Sequence, residues 1–422
     1  MGEEEKLILD KFLQTKPKIH VVKRFAKSEN YFAPGLLVYI ENGRGDLFVN
    51  WVLENHNLCY NLQFKDKTLF QLQGDEYFCP TCEKIVRTAY KLEQTDEFCI
   101  DKINQEGTSF EEAVNEISPM LGLLESGFYC LWNTQLYPTD GNGNLFWDYP
   151  NDSSVKPGSC IFYFGDGEWG SCIPHYMIAT QPKKKLNVER VQYYKLNPNC
   201  RAIAYYMDGN ITALLDGHHK AMAAAMEHRP CNSIVISKCT YFMRTMQNGE
   251  KYGCLEANEA IFKVDELQSE FCKDKYLSEK KEHKYSSISN WEIDTEDIFP
   301  GEIDTRGLSD FYPSVKECVS MDIFGPITNE YIDKFLHNEI SLEETKYDIF
   351  MDALAANRHE RLFEVIDYIL HKNQMYEYMI SALEHLFRMP HTDNLEKYLI
   401  DYVVEVEDEH PEVGMYIMQN LW

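Results

Sequence analysis

Between residues 202 and 237 the apolar pattern changes period twice. Residues 202–207, 211–215 and 233–237 are short apolar runs. Runs of this length bounded by turn residues predict buried strands. Asp208-Gly209-Asn210 separates the first two, which predicts a hairpin. Between the second and third, Asp216-Gly217-His218-His219-Lys220 leads into an alanine-rich stretch. That stretch predicts a helix to about Arg229, stopped by Pro230. The predicted order is strand, glycine turn, helix, strand.

Elsewhere the pattern is more mixed. Residues 5–13 predict a short amphipathic helix, and 36–40 and 47–53 predict strands around the turn Asn42-Gly43-Arg44-Gly45. Residues 60–72 alternate. Ala113, Val114, Ile117 and Leu121 recur at helical spacing within 110–124. Residues 126–200 are aromatic, glycine-rich and strand-like, with turns at 140–144 and 164–170. The first of these lacks the acids and terminal Glu of a calcium loop. Residues 238–262 predict strands and a helix closing the same domain. Residues 263–326 read as a connector. Lysines 273, 275, 280, 281 and 284 give way to acids between 292 and 310, with breakers at Pro300-Gly301 and Gly325-Pro326. From 327 onward the apolar spacing is helical, over 328–338, 341–356, 358–372, 374–388, 392–406 and 411–420. Ser341 and Glu344 form a capping-box pattern. These short helices with short turns resemble a HEAT-type array.

The expected class is therefore α+β and multidomain. Residues 1–125 form an N-terminal α+β region, 126–262 a central α/β domain, 263–326 a charged connector and 327–422 an all-helical domain.

Charge changes the picture of what the chain can bind. Its 41 Lys and Arg stand against 68 Asp and Glu, a net charge of −27. Nucleic-acid affinity rests on phosphate neutralisation. The densest basic cluster, Lys183-Lys184-Lys185, is too short for that, so nucleic-acid binding is disfavoured. A small anionic ligand held locally fits, and so does a basic protein partner bound through the helical C-terminal domain. No apolar run approaches the ~20 residues of a membrane helix. The acidic start MGEEEKLILDKF has no signal-peptide pattern, which predicts a cytoplasmic protein without a membrane span. Thirteen scattered cysteines then read as thiols.

The chemistry centres on 214–225, LLDGHHKAMAAA. A glycine turn opening a helix presents backbone N–H groups to an anion, and the helix dipole adds positive charge there. His218, His219 and Lys220 are further donors, and Asp216 can cap the helix or hold a histidine or a metal-bound water. This stretch resembles the phosphate box of the ParB/sulfiredoxin superfamily: a strand, Asp-Gly-His-(His)-Arg, then small residues at helical spacing. The resemblance covers about 35 to 50 residues. It implies nucleotide binding, with Mg2+, and an NTP hydrolase or phosphotransferase as the activity. Gly217, His218, His219, Lys220 and Arg201 would bind phosphate, and Asp216, His218 and His219 would serve catalysis. Lys220 stands where Arg is usual, giving a point charge in place of a bidentate fork. His218 stands where sulfiredoxin has its catalytic Cys. The blander reading of the same residues is a strand–turn–helix with two surface histidines.

Two further groups carry candidate chemistry. Cys79-x2-Cys82 and His56-x2-Cys59 are separated by nineteen residues, a spacing suited to a hairpin-borne structural Zn2+, with Cys99 as a spare ligand. Ordinary buried thiols and a surface histidine are the alternative. Glu256 and Glu259 offer carboxylates for a base or magnesium, or else a solvated helix face. His175 is a further polar residue near the box in sequence.

Overall fold

A computed structural model describes residues 17–54, 57–64, 67–72, 103, 107–147, 161–164, 167–180, 183, 186–246, 249–273, 277, 303–340, 342, 346–372, 376–406 and 409–421. The helix expected at 5–13, much of the connector and the 341–344 cap lie outside them. The chain divides into two units. One is Met1–Ser159 with Cys172–Tyr312, and the other is Cys160–Ser171 with Pro313–Trp422. The first carries the large mixed sheet together with helices and the second is mostly helical, so the fold is α+β and multidomain.

In chain order, the first unit begins with β1 (Lys18–Phe25), β2 (Gly35–Arg44), β3 (Leu47–Glu54), β4 (Asn57–Phe64) and β5 (Lys67–Leu72). Helices α1 (Phe110–Glu116) and α2 (Ser118–Leu121) follow, then β6 (Glu125–Leu136). A hairpin of β7 (Ile161–Phe164) and β8 (Gly167–Gly170) belongs to the second unit. The first unit resumes with β9 (Tyr176–Ala179), α3 (Val188–Leu196), β10 (Ala202–Asp208), β11 (Ile211–Asp216), α4 (His218–Met226) and β12 (Cys231–Lys238). It closes with β13 (Thr240–Thr245), β14 (Lys251–Ala257) and β15 (Ala260–Lys263).

Seven strands form one mixed sheet, in the order β1-β2-β6-β12-β10-β11-β9. The β10/β12 and β11/β9 pairs are parallel and the others antiparallel. Alternate residues such as Leu37, Trp132, Ala204 and Val235 share one apolar cluster with the alanines of α4. The intervening Val38, Leu131, Ile203 and Ile234 are buried as well, so both faces are covered, as continuous apolar strands require. The hairpin, glycine turn, helix and third strand expected at 202–237 are all present. The helix ends at Met226, with His228 at φ 51°, before Pro230 is reached.

Four sequence expectations differ from the structure. β2 pairs directly with β6, from Gly35 opposite Trp132 to Ile40 opposite Gly127. The central sheet thus runs across the division drawn at 125/126, because residues 35–40 are all buried and need a partner strand on each side. β2 and β3 do not pair with each other; β3 joins β4 and β5 in a separate antiparallel sheet. The helix expected within 238–262 is replaced by the β13–β14–β15 meander. Asn258 at φ 49° and Glu259 at φ 68° make its tight turn. Finally, α3 lies in the stretch read as strands. Its Asn187 cap and its buried Val191 and Tyr194, three residues apart, are the signal that marked it.

The second unit contains α5 (Val315–Phe324), α6 (Asn329–Leu336), α7 (Tyr347–Ala356), α8 (Leu362–Lys372), α9 (Tyr376–Phe387), α10 (Asp393–Val406) and α11 (Pro411–Asn420). The last six fall within the expected helical spans. α5 begins inside the expected connector, and its Ser314–Glu317 capping box was the overlooked sign. Helices pack on the next but one: α5 on α7, α7 on α9, α9 on α11, and α6 on α8. The Tyr398 hydroxyl of α10 donates to Asp367 of α8 at 2.7 Å, continuing the second row. The helices therefore stack in two layers, the arrangement of helical arrays. Asp352 ties three of them, meeting His385 at 3.2 Å and Lys316 at 2.9 Å. Among the described residues no helix is long and apolar enough to cross a membrane.

Candidate anion site at the start of α4

The sheet brings four chain segments to one end. β9 and β11 run parallel and stop there, at Ala179 and Asp216, while β10 and β12 start there, at Ala202 and Cys231. Gly217 makes the turn from β11 into α4 at φ 105° and ψ 22°. A Cβ at this residue would lie 2.8 Å from the Cβ of Ala202 and 3.0 Å from its Cα. Glycine is thus required twice, for the backbone angle and for the approach of the turn to β10. No side chain caps α4. By contrast, Ser109, Asn187, Ser314 and Thr328 cap α1, α3, α5 and α6.

The basic side chains of the box turn inward. The Lys220 ammonium is 3% exposed and donates to Asp216 Oδ2 at 2.9 Å and to the Arg201 carbonyl at 2.8 Å. It also sits 5.6 Å from the centroid of the Tyr194 ring of α3. Burial alone would lower the Lys220 pKa, but the Asp216 charge, with Tyr194, outweighs it and holds the group above its ordinary value. Burial would likewise raise Asp216, and the Lys220 charge instead keeps it below the ordinary carboxylate range. This is a formed ion pair, i to i+4, joining the end of β11 to the first turn of α4.

His218 is also buried, against Trp147 at 5.7 Å between ring centroids. Its Nε2 accepts the Thr180 N–H at 3.0 Å. Because β11 pairs with β9 up to Leu214 opposite Ala179, Thr180 falls next in register, where its hydroxyl donates to the Leu214 carbonyl at 2.5 Å. An accepting Nε2 leaves the ring proton on Nδ1, a neutral imidazole. Burial, and then the neighbouring His219 charge, push its pKa down to about 3 against the pull of Asp216. The sign follows: unfolded His218 gains a proton below its ordinary value of about 6.5 and the folded one does not. Stability is present above that value and falls as pH drops toward 3. At about 1.4 kcal/mol per pH unit, close to 2 kcal/mol is lost from this group between pH 6.5 and 5. Urea melts over this range should show a flatter acid slope for His218→Gln, and an unchanged slope would refute the neutral, buried histidine.

His219 is half-buried, and its Nε2 accepts the backbone N–H of Asn187, the cap of α3, at 3.0 Å. The Arg201 guanidinium donates to the Thr108 carbonyl at 3.1 Å. Asp216, Gly217, His218, His219 and Lys220 therefore lie together at the turn, whereas Arg201 reaches it only through its backbone carbonyl, its guanidinium being turned to Thr108. The two surface histidines of the blander reading are one buried and one half-buried residue. His175 does not join them. Its N–H donates to the Asn210 carbonyl at the β10–β11 turn, the far end of six-residue β11, about 20 Å away at ~3.3 Å per residue. Glu259 accepts the Cys172 N–H at 2.7 Å at the β14–β15 turn.

Sequence reasoning missed Thr180, Tyr194 and Arg190. Arg190 is exposed in the first turn of α3, close enough for its charge to lower Asp216. Only the packing of α3 on α4 brings it there, across twenty-six residues of chain. His56, Cys79, Cys82 and Cys99 lie outside the described residues, and Cys59 is described only as backbone in β4. Among the described residues no group of three or more His, Cys, Asp or Glu could hold a metal ion. No protein-family model, no curated protein and no solved structure gives a significant match to this chain.

Proposed function

We propose that the start of α4 binds the phosphate of a nucleotide or related ligand, without turning it over. The observation that carries this reading is the turn itself. Gly217 opens a helix that no side chain caps, beside the exposed Arg190, in a chain of net charge −27. The backbone N–H groups of the first turn and the helix dipole would face the anion. The resemblance of 214–225 to the ParB/sulfiredoxin phosphate box points the same way. Binding is favoured over catalysis because Asp216 is engaged by Lys220, and His218 is a neutral acceptor for Thr180. Mg2+ would accompany a nucleoside triphosphate through the phosphate oxygens.

The test is a set of thermal shifts with ATP, ADP, CTP and GTP, each with and without Mg2+, beside His219→Glu and Arg190→Glu. A carboxylate at 219 can still accept from Asn187 and is favoured by the helix dipole, so it repels phosphate without weakening the fold. At a hundred times Kd a ligand adds about 2.7 kcal/mol, seen as a raised midpoint. One nucleotide should stabilise the natural protein and lose its effect in both variants. No shift with any of them, or an equal shift in the variants, would overturn the reading.

A further inference from the structure

We infer that the outer face of α10 and α11 docks a Lys/Arg-rich amphipathic helix of a partner protein. This rests on the second unit alone and is independent of the α4 site. A Cβ on Gly414 of α11 would meet Val403 of α10 at 3.6 Å, which fixes the side each helix turns to the other. Leu399, Tyr402 and Val406 of α10, and Val413 and Ile417 of α11, face the core. At 100° per residue, Ile400 and Val404 of α10 and Met415 and Met418 of α11 then lie on the opposite side of that seam. They are 46%, 69%, 61% and 51% exposed.

That side points away from α8 and α9, against which α10 and α11 stack. It is the face on which a further helix pair of the array would sit. The face presents two β-branched residues and two methionines, and methionine adapts its shape to a partner.

The charge around the face selects the occupant. Among the described residues of 393–412, Asp393, Glu396, Asp401, Glu409 and Glu412 stand against a single Lys397, while Glu405 turns to His371 of α8. A second copy of this chain would bring the same acidic rim against itself. A basic helix would place apolar residues at i, i+3, i+4 and i+7 on the four side chains and its lysines or arginines on the rim. The fourteen residues of α10 give about 21 Å of contact length, three to four turns of the docked helix.

The probe is a fluorescein-labelled eighteen-residue Leu/Lys peptide patterned as an amphipathic helix, titrated into the full chain by anisotropy at low and moderate salt. A scrambled peptide of the same composition and a Leu/Glu version are the comparisons. The patterned basic peptide should bind in the micromolar range and weaken with salt. Val404→Lys with Met418→Lys should weaken it at least tenfold while leaving the melting midpoint unchanged, since both side chains are exposed. Equal binding of the scrambled peptide, or undiminished binding to the double variant, would overturn the proposal. Sedimentation showing a dimer that the double variant disperses would overturn it in favour of a second copy.

Discussion

Lys220→Ala is expected to destabilise the first unit by about 3–5 kcal/mol, the usual loss when one partner of a buried ion pair is removed. The ammonium is 3% exposed and the Asp216 carboxylate 18% exposed, so the remaining charge would gain little from water. Two further contacts go with it, to the Arg201 carbonyl and to the Tyr194 ring. Asp216→Asn combined with Lys220→Met should recover most of the loss, because a neutral pair of similar volume leaves no charge stranded. The pH dependence has a definite sign. Asp216 is depressed, so its contribution is present above the ordinary carboxylate range and lost as pH falls through its lower folded value. Lys220 is raised, so its contribution is present below its ordinary value and lost as pH rises through the higher folded one. Between those limits the contribution is flat. Urea unfolding of the two variants at neutral pH settles the matter: a loss below 1 kcal/mol for Lys220→Ala would mean the pair is solvated and not structural.

Gly217→Ala should cost about 2–6 kcal/mol. Of this, about 1–3 kcal/mol comes from holding a non-glycine residue at φ 105°. Another 1–3 kcal/mol comes from forcing a methyl group to within 2.8 Å of Ala202 Cβ. The two parts separate in a double-mutant cycle. Adding Ala202→Gly removes the Cβ contact but leaves the 3.0 Å approach to the Cα and the backbone cost, so the double variant should recover only part of the loss. If Ala202→Gly gives Gly217→Ala no relief, the Ala202 methyl group is not what excludes a side chain at 217.

The box was legible because its signals are local. A glycine after an apolar run, followed by alanines and ended near a proline, fixes strand, turn and helix without reference to anything distant. The same holds for the helices after 327, where the apolar spacing of Val365, Ile366, Ile369 and Leu370 is enough. What was not legible depends on pairing across the chain. Nothing local to residues 35–40 says that their partner is 127–132. Nothing in the box says that Lys220 faces Asp216 and Tyr194 instead of solvent, since an Asp-Gly-His-His-Lys string reads equally well as a row of exposed donors. Arg190 and Thr180 became part of the site only through the α3–α4 packing and the β9–β11 register. The overlooked α3 and α5 were different in kind. Both carry caps readable in the sequence, but α3 sat among strands and α5 among charges, and the surroundings outweighed the caps.

The β7–β8 hairpin has its own significance for how the protein is made. Ser171 at its end donates to Asp322 of α5 at 2.5 Å, so the hairpin is completed by a helix about 145 residues later in the chain. At a synthesis rate of about 5–20 residues per second, the hairpin waits between roughly 7 and 30 seconds on the ribosome for that helix to emerge. During that interval the strands of the first unit can pair, whereas the helical unit, whose two parts are made at different times, cannot finish until its helices have been made.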